Sequence, residues 1–283
     1  MNPLAFVALA FAPGVFWLWF FARKSRYHPA PRRLLAITFF LGMAATIPAM
    51  LLERLWIDES VVAGEAAIGA AAAGMLLVVG PVEEAVKFAA VRLGPYRSLY
   101  FDEPMDGLVF SAAASLGFAS LENLGYMATY GAAVILVRAP LSTVAHAVFG
   151  SVWGYALGWS RQRRGGSLVV LGGLGVAAVA HGLFNLSLDV NPLLAVALLL
   201  GGVAWTLSRF GWAERVSPFR YRRNYPQVQC GSCQRLVRVT SRFCHHCGAL
   251  AHGADRTLFC GHCGSRNRPD ASYCTWCGDR LLS

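Results

Sequence analysis

Acids, imidazoles and amides recur inside stretches that are otherwise apolar enough to cross a bilayer. Glu83, Glu84 and Lys87 lie in Gly80-Pro-Val-Glu-Glu-Ala-Val-Lys87; Glu122 and Asn123 follow Phe118 by one helical turn; His146 precedes Phe149 and Gly150; and His181 stands four positions before Asn185. Ionisable groups are costly in hydrocarbon, so each is a candidate for function. Two acids on one helix, an acid on the next and a histidine on each of the two after that are the donors of a hydrolytic metal site or an acid/base centre. Each has a plainer reading when taken alone. Glu83 and Lys87 share a helix face and form a structural ion pair; Glu122 meets outer water; His146 and His181 are satisfied core histidines. One lysine cannot neutralise two acids, however. A run of such groups on four successive helices is also a poor coincidence.

The elements that must position these residues follow from composition. The chain has 283 residues, 56% of them hydrophobic and 14% charged, with mean hydropathy +0.47. Soluble domains carry about 25% charged residues, so the pattern is that of a membrane protein. At about 20 apolar residues per span, about seven spans are predicted: 3–22, 34–52, 66–92, 106–128, 139–160, 167–188 and 192–209. Pro81 predicts a kink in the third. Gly131 to Arg138 reads as an interfacial turn or an extension of a neighbouring helix. Small residues at Gly150, Gly154 and Gly158 predict close helix packing. The Trp and Phe residues read mostly as lipid-facing or interfacial.

The net charge of +10 does not point to nucleic acid, because the bases cluster between the spans and in the tail. Arg23, Lys24, Arg26, Arg32 and Arg33, then Arg92 and Arg97, then Arg161, Arg163 and Arg164 fall on one side. The other side holds Glu53, Asp58, Glu59, Glu65 and Asp189 with only Arg54 and Arg138. By the positive-inside rule, the N-terminus lies outside and the C-terminal tail in the cytoplasm of a multi-pass plasma-membrane protein. Residues 1–22 lack a basic n-region and a cleavage site and read as a first span. Counted from the cytoplasmic ends at about 1.5 Å per residue, the polar positions lie roughly 13–24 Å deep. They therefore converge at or slightly outside the midplane, where substrate arrives from the extracytoplasmic side.

All eight cysteines fall after residue 229. Cys230-x2-Cys233-x10-Cys244-x2-Cys247 repeats 30 positions later as Cys260-x2-Cys263-x10-Cys274-x2-Cys277. Two CxxC knuckles complete a closed four-thiolate shell, which suits a structural zinc ion; rubredoxin-type iron is the alternative. Adjacent pairing is the simplest way to share two ions. Residues 230–283 thus read as a double zinc ribbon, joined to a membrane domain (1–209) by a basic linker (210–229). His245, His246, His252 and His262 are spare. Tethered at a membrane, the ribbons suit a cytosolic protein partner better than DNA.

Glu83-Glu84-x-x-Lys87, Phe118-x3-Glu122-Asn123, His146-x2-Phe149-Gly150 and His181-x3-Asn185 together resemble the motif series of the PrsW family of intramembrane proteases, which is distantly similar to CAAX prenyl endopeptidases. The resemblance covers about residues 35–190, and the ribbons lie outside it. It implies an all-α polytopic peptidase that cuts membrane-anchored protein substrates in regulated proteolysis of a signalling factor. On that footing, Glu83 is the expected general base, with Glu84 orienting a ligand or binding metal. Lys87 holds one of these acids by charge. Glu122, His146 and His181 are the expected shell of a catalytic Zn2+, and Asn185 the oxyanion donor. A metal-free glutamate peptidase is the internal alternative. A transporter or metal-handling protein, and a non-enzymatic scaffold presenting the ribbons, are the rival classes.

Overall fold

The computed structural model describes residues 2–62, 66–98, 100–163, 166–217, 219, 227–238, 244, 247–250, 258–259, 265–267, 271 and 273–274. They fall into two units, Met1–Glu214 and Arg215–Ser283.

The first unit is all helical: α1 Pro3–Ala22, α2 Arg32–Trp56, α3 Glu59–Val62, α4 Ile68–Gly74, α5 Gly80–Leu93, α6 Pro104–Tyr130, α7 Ile135–Arg138, α8 Ser142–Arg163, α9 Ser167–Val190 and α10 Pro192–Val216. Six helices are long and apolar enough to span a membrane. A seventh span is counted if the segment Ala132–Arg138 and the helix Ser142–Gln162, bent by 44°, are taken together. The protein is therefore a multi-pass membrane protein, and the ambiguous stretch before residue 139 is a short broken helix. Gly131, at φ +86°, ends α6 and turns the chain back. α10 continues past the expected end at 209.

The irregularity expected at Pro81 takes the form of a π-helical segment, Met75–Val79, between α4 and α5. Proline offers no backbone N–H, and a wider turn before it absorbs the missing bond. This segment packs backbone to backbone on α9: a Cβ on Gly80 would collide with the Ala178 carbonyl, and one on Gly182 with the Met75 carbonyl. Two glycines thereby bring the acids of α5 against the histidine of α9.

α6 is the central helix. Its most apolar window is 94% buried, against 17–39% for the five other helices that are long and apolar enough to span by themselves. At its start, Glu103 and Asp106 cap reciprocally, with Asp106 accepting from the backbone N–H groups of Asp102 and Glu103. The predicted close approach at Gly154 is real: a side chain there would overlap Ser111 and the Gly107 carbonyl of α6. Phe21 stacks on Phe210 and Arg26 pairs with Glu214 at 3.7 Å, while Arg161 lies over Tyr96. The basic ends of α1, α5, α8 and α10 thus meet at one end of the bundle.

In the second unit, β1 Gln227–Gln229 pairs antiparallel with β2 Leu236–Arg238, Val228 opposite Val237. Short turns follow Cys230 and Cys244, closed by Gln234 N–H to the Cys230 carbonyl (2.9 Å) and Gly248 N–H to the Cys244 carbonyl (2.8 Å). Cys230, Cys233, Cys244 and Cys247 offer sulfurs all within 4.8 Å of one another. The adjacent pairs therefore converge, as the spacing suggested. Backbone N–H groups of Cys233 and Ser232 pull the Cys230 thiol down to about 7. At Cys247 the Ala249 N–H acts in the same direction. It is outweighed by the thiol of Cys233, the loss of hydration and the thiols of Cys244 and Cys230, which push the group up to about 12. β3 Leu258–Phe259 pairs with β4 Arg266–Asn267, and the Asn267 amide donates to buried Cys274 Sγ at 3.6 Å. Cys260, Cys263 and Cys277 lie outside the described residues.

Candidate active site

The residues singled out on four helices meet in one buried cluster. α5 presents Glu83, Glu84 and Lys87 from a single turn, at 4%, 0% and 0% exposure. The Lys87 ammonium has three protons and no acceptor, and each proton has a partner. These are Glu83 Oε2 (2.8 Å), Glu84 Oε1 (3.0 Å) and His146 Nδ1 (2.9 Å). The ammonium also lies 4.2 Å from the centre of the Phe118 ring.

This arrangement settles the roles of the histidine nitrogens. Because Lys87 can only donate, His146 Nδ1 accepts, and its proton sits on Nε2, which donates to Glu122 Oε2 at 2.9 Å. Glu84 is the hub for the other ring. Its Oε1 takes His181 Nδ1 at 2.8 Å, and its Oε2 takes the Trp153 indole N–H at 2.8 Å. That leaves the lone pair of His181 on Nε2. The two lone-pair nitrogens, His146 Nδ1 and His181 Nε2, each stand 3.7 Å from the same atom, Glu83 Oε2. The rings are edge to face, 5.0 Å between centroids, and Phe149 stacks on His181 at 5.2 Å.

Glu83, His146 and His181 can each aim a donor atom within 4.8 Å of the others. Glu122, expected in that shell, is not in the set: its Oε2 lies 2.8 Å from Arg138 and 2.9 Å from the far nitrogen of His146. Asn185 is half-buried one turn beyond His181 and makes no hydrogen bond among the described residues. Asn123 does not face the centre: it joins Arg138 Nε (2.8 Å) to Thr143 Oγ1 (3.0 Å).

The donor set suits a divalent cation. Two imidazoles and one carboxylate leave a coordination position open, as catalytic zinc sites do. Each ring is held at its far nitrogen by a carboxylate, the support that metal-ligating histidines normally have. Among the described residues, Glu83, Glu84 and Glu122 face two permanent cations, Lys87 and Arg138, and Glu53 of α2 is a further acid within electrostatic reach of Glu83 and Glu122. With both imidazoles neutral, the first three acids leave one negative charge for an ion or a proton to balance.

Two participants escaped the sequence reading. Trp153 stands two turns after His146, on the same face of α8, but tryptophans in a membrane chain read as belt residues. Arg138 read as an outer-loop base. A lone arginine ending an apolar run is itself a signal that a buried partner exists.

The chain resembles characterised proteins through the same region. The model for the family described as PrsW family intramembrane metalloprotease matches residues 30–208. Protease PrsW of Bacillus subtilis is 33% identical over 157 residues, 56% of this chain and 69% of that protein. Protease PrsW of Geobacillus kaustophilus is 35% identical, over 54% of this chain and 65% of the relative. That of Shouchella clausii is 29% identical, over 56% and 72%. No solved structure matches. Since residues 30–208 contain every helix that brings a side chain to this centre, the chain belongs to the PrsW family of intramembrane metalloproteases.

Proposed function

We propose that this membrane peptidase cuts membrane-anchored protein substrates at the Glu83–His146–His181 centre, and that the centre works with Zn2+. One observation carries the reading: two imidazole lone pairs, each with its ring held by a carboxylate, face the same oxygen of Glu83. Glu83, His146 and His181 would hold the ion. The chemistry such an ion would supply is Lewis acidity, for the scissile carbonyl and for the attacking water. Glu84 and Glu122 keep the two rings aimed. The Glu83 carboxylate takes the proton that the attacking water loses. Asn185 donates to the oxygen of the tetrahedral intermediate.

A metal-free glutamate mechanism has its own supporting observation. Lys87 already donates to Glu83 Oε2 and His146 Nδ1. An ion and the ammonium cannot both take those two atoms, so zinc loading leaves Lys87 with Glu84 alone. The test is metal content of the full-length protein, wild type beside His146→Ala/His181→Ala, with cleavage of labelled single-span peptides in proteoliposomes. Loss of one metal equivalent together with cleavage supports zinc. Unchanged metal with lost cleavage supports the metal-free form. Cleavage by the double variant would remove the centre from the reaction altogether.

The C-terminal unit reads as a cytoplasmic double zinc ribbon. Cys230, Cys233, Cys244 and Cys247 hold one structural ion, and Cys260, Cys263, Cys274 and Cys277 a second. The ribbons offer a binding surface to a cytosolic protein. The basic ends of α1, α5, α8 and α10 support a plasma-membrane topology with the N-terminus outside and this tail inside.

A further inference from the structure

Arg138 is 7% exposed although it follows an apolar run at a helix break. Gly131 turns the chain back at the end of α6, and α7 returns Arg138 to the helix it has just left. There its guanidinium makes two bonds to neighbouring residues. One terminal nitrogen donates to Glu122 Oε2 and Nε donates to Asn123 Oδ1, both at 2.8 Å. Its flat face covers Tyr126, 3.8 Å from the ring centre. Asn123 then donates to Thr143 at the start of α8. The oxygen of Glu122 that Arg138 holds is the one that receives His146 Nε2–H.

We propose that Arg138 is a positioning residue for peptide hydrolysis: it clamps Glu122 in the orientation that holds the His146 ring with Nδ1 at the Lys87 ammonium, 3.7 Å from Glu83 Oε2. The Glu122 side chain is 20% exposed. Without the clamp its carboxylate has a single bond to His146 and an open path toward the surface. The flat, two-pronged grip is specific to arginine, because a lysine ammonium keeps the charge but cannot bridge Glu122 and Asn123 in the same way. The clamp also ties the end of α6 to the start of α8, so Glu122 and His146 are held from both sides of their bond.

The inference rests on His146 belonging to the reactive centre, and the experiment separates the two. Full-length Arg138→Gln, Arg138→Lys, Glu122→Gln, Arg138→Gln/Glu122→Gln and His146→Ala are reconstituted in proteoliposomes with labelled single-span peptides. Histidine-selective 15N spectra of wild type and Arg138→Gln, with the His146 signal assigned by its loss in His146→Ala, report the tautomer. Arg138→Gln is expected to lower kcat on the order of 10–100-fold, the usual cost of losing an outer partner of a reacting histidine. KM should stay within about threefold, since a positioning defect acts on the reacting geometry. Arg138→Lys should recover part of the loss. The double variant should be no worse than Glu122→Gln alone, because both act through one bond. In Arg138→Gln the His146 spectrum should change from one tautomer to a mixture. A wild-type kcat, an unaltered His146 spectrum, or losses that multiply in the double variant would each overturn the role of Arg138 while His146→Ala remains inactive. Cleavage by His146→Ala would instead overturn the reading on which it rests.

Discussion

Trp153→Phe isolates one bond in the buried network. The indole N–H donates to Glu84 Oε2 at 2.8 Å, and both residues are fully buried. A hydrogen bond to a charged group contributes about 1.5–3 kcal/mol. Shrinking an enclosed indole to a phenyl ring adds a cavity cost of about 1 kcal/mol. The variant should therefore lose about 2.5–4 kcal/mol in reversible unfolding in mixed micelles, the sum of these two effects. The cavity share is separated by repeating the substitution in Glu84→Gln. A neutral amide oxygen still accepts, but with about half the strength of a carboxylate, so the cost should fall by about 1 kcal/mol. Equal costs in the two backgrounds, within about 0.3–0.5 kcal/mol, would show that the Glu84 charge adds nothing to the Trp153 bond. Activity gives a second readout. Glu84 Oε1 orients His181, so a carboxylate released at Oε2 should lower kcat on the order of tenfold.

Two further outcomes follow from the same geometry. Asn185→Ala should lower kcat about 100-fold if its amide stabilises the oxyanion. It should leave the unfolding midpoint in place, because Asn185 makes no hydrogen bond among the described residues; a large stability loss with unchanged kcat would refute the assignment. In the tail, zinc binding should release protons into weakly buffered solution at pH 7.5, among them that of Cys247, whose thiol is pushed up to about 12. Affinity should therefore fall as pH falls, because the metal and protons compete for the same sulfurs; a pH-independent affinity in a zinc titration would contradict this.

Most of the fold was legible because a bilayer imposes simple rules. Apolar length gave the spans to within a few residues at most ends, and the spacing of Gly150, Gly154 and Gly158 marked the face of α8 that packs on α6. Pro81 marked an irregularity, but not its type. A proline states that a bond is missing; whether the chain kinks or widens depends on what packs beside it, here the backbone of α9 at Ala178 and Gly182. The break at Gly131 was harder to read, because Ala132 to Val137 is apolar in either arrangement. That one ambiguity hid Arg138. As an extension of a span or an interfacial turn, the segment sends its arginine to water; as a returning helix, it sends it to Glu122.

The site was legible as a set of residues and not as a set of bonds, and charge shows why. Spacing along α5 put Lys87 beside both acids, and the excess of acid was plain from the sequence. Which acid would be left over turned on three partners that no local pattern reveals. Trp153 and His181 commit Glu84, and Arg138 commits Glu122. Glu83 is left with Lys87 as its sole hydrogen-bond partner among the described residues and a nitrogen of each imidazole 3.7 Å away. Glu122 was expected as the third ligand beside His146 and His181 on the footing of the family resemblance. In the structure one of its oxygens lies between Arg138 and the far nitrogen of the His146 ring. On the proposed reading, the carboxylates that hold a histidine ring are scaffold, and Glu83, which shares the Lys87 ammonium but holds no ring among the described residues, is the group left to meet a cation, a water or a peptide.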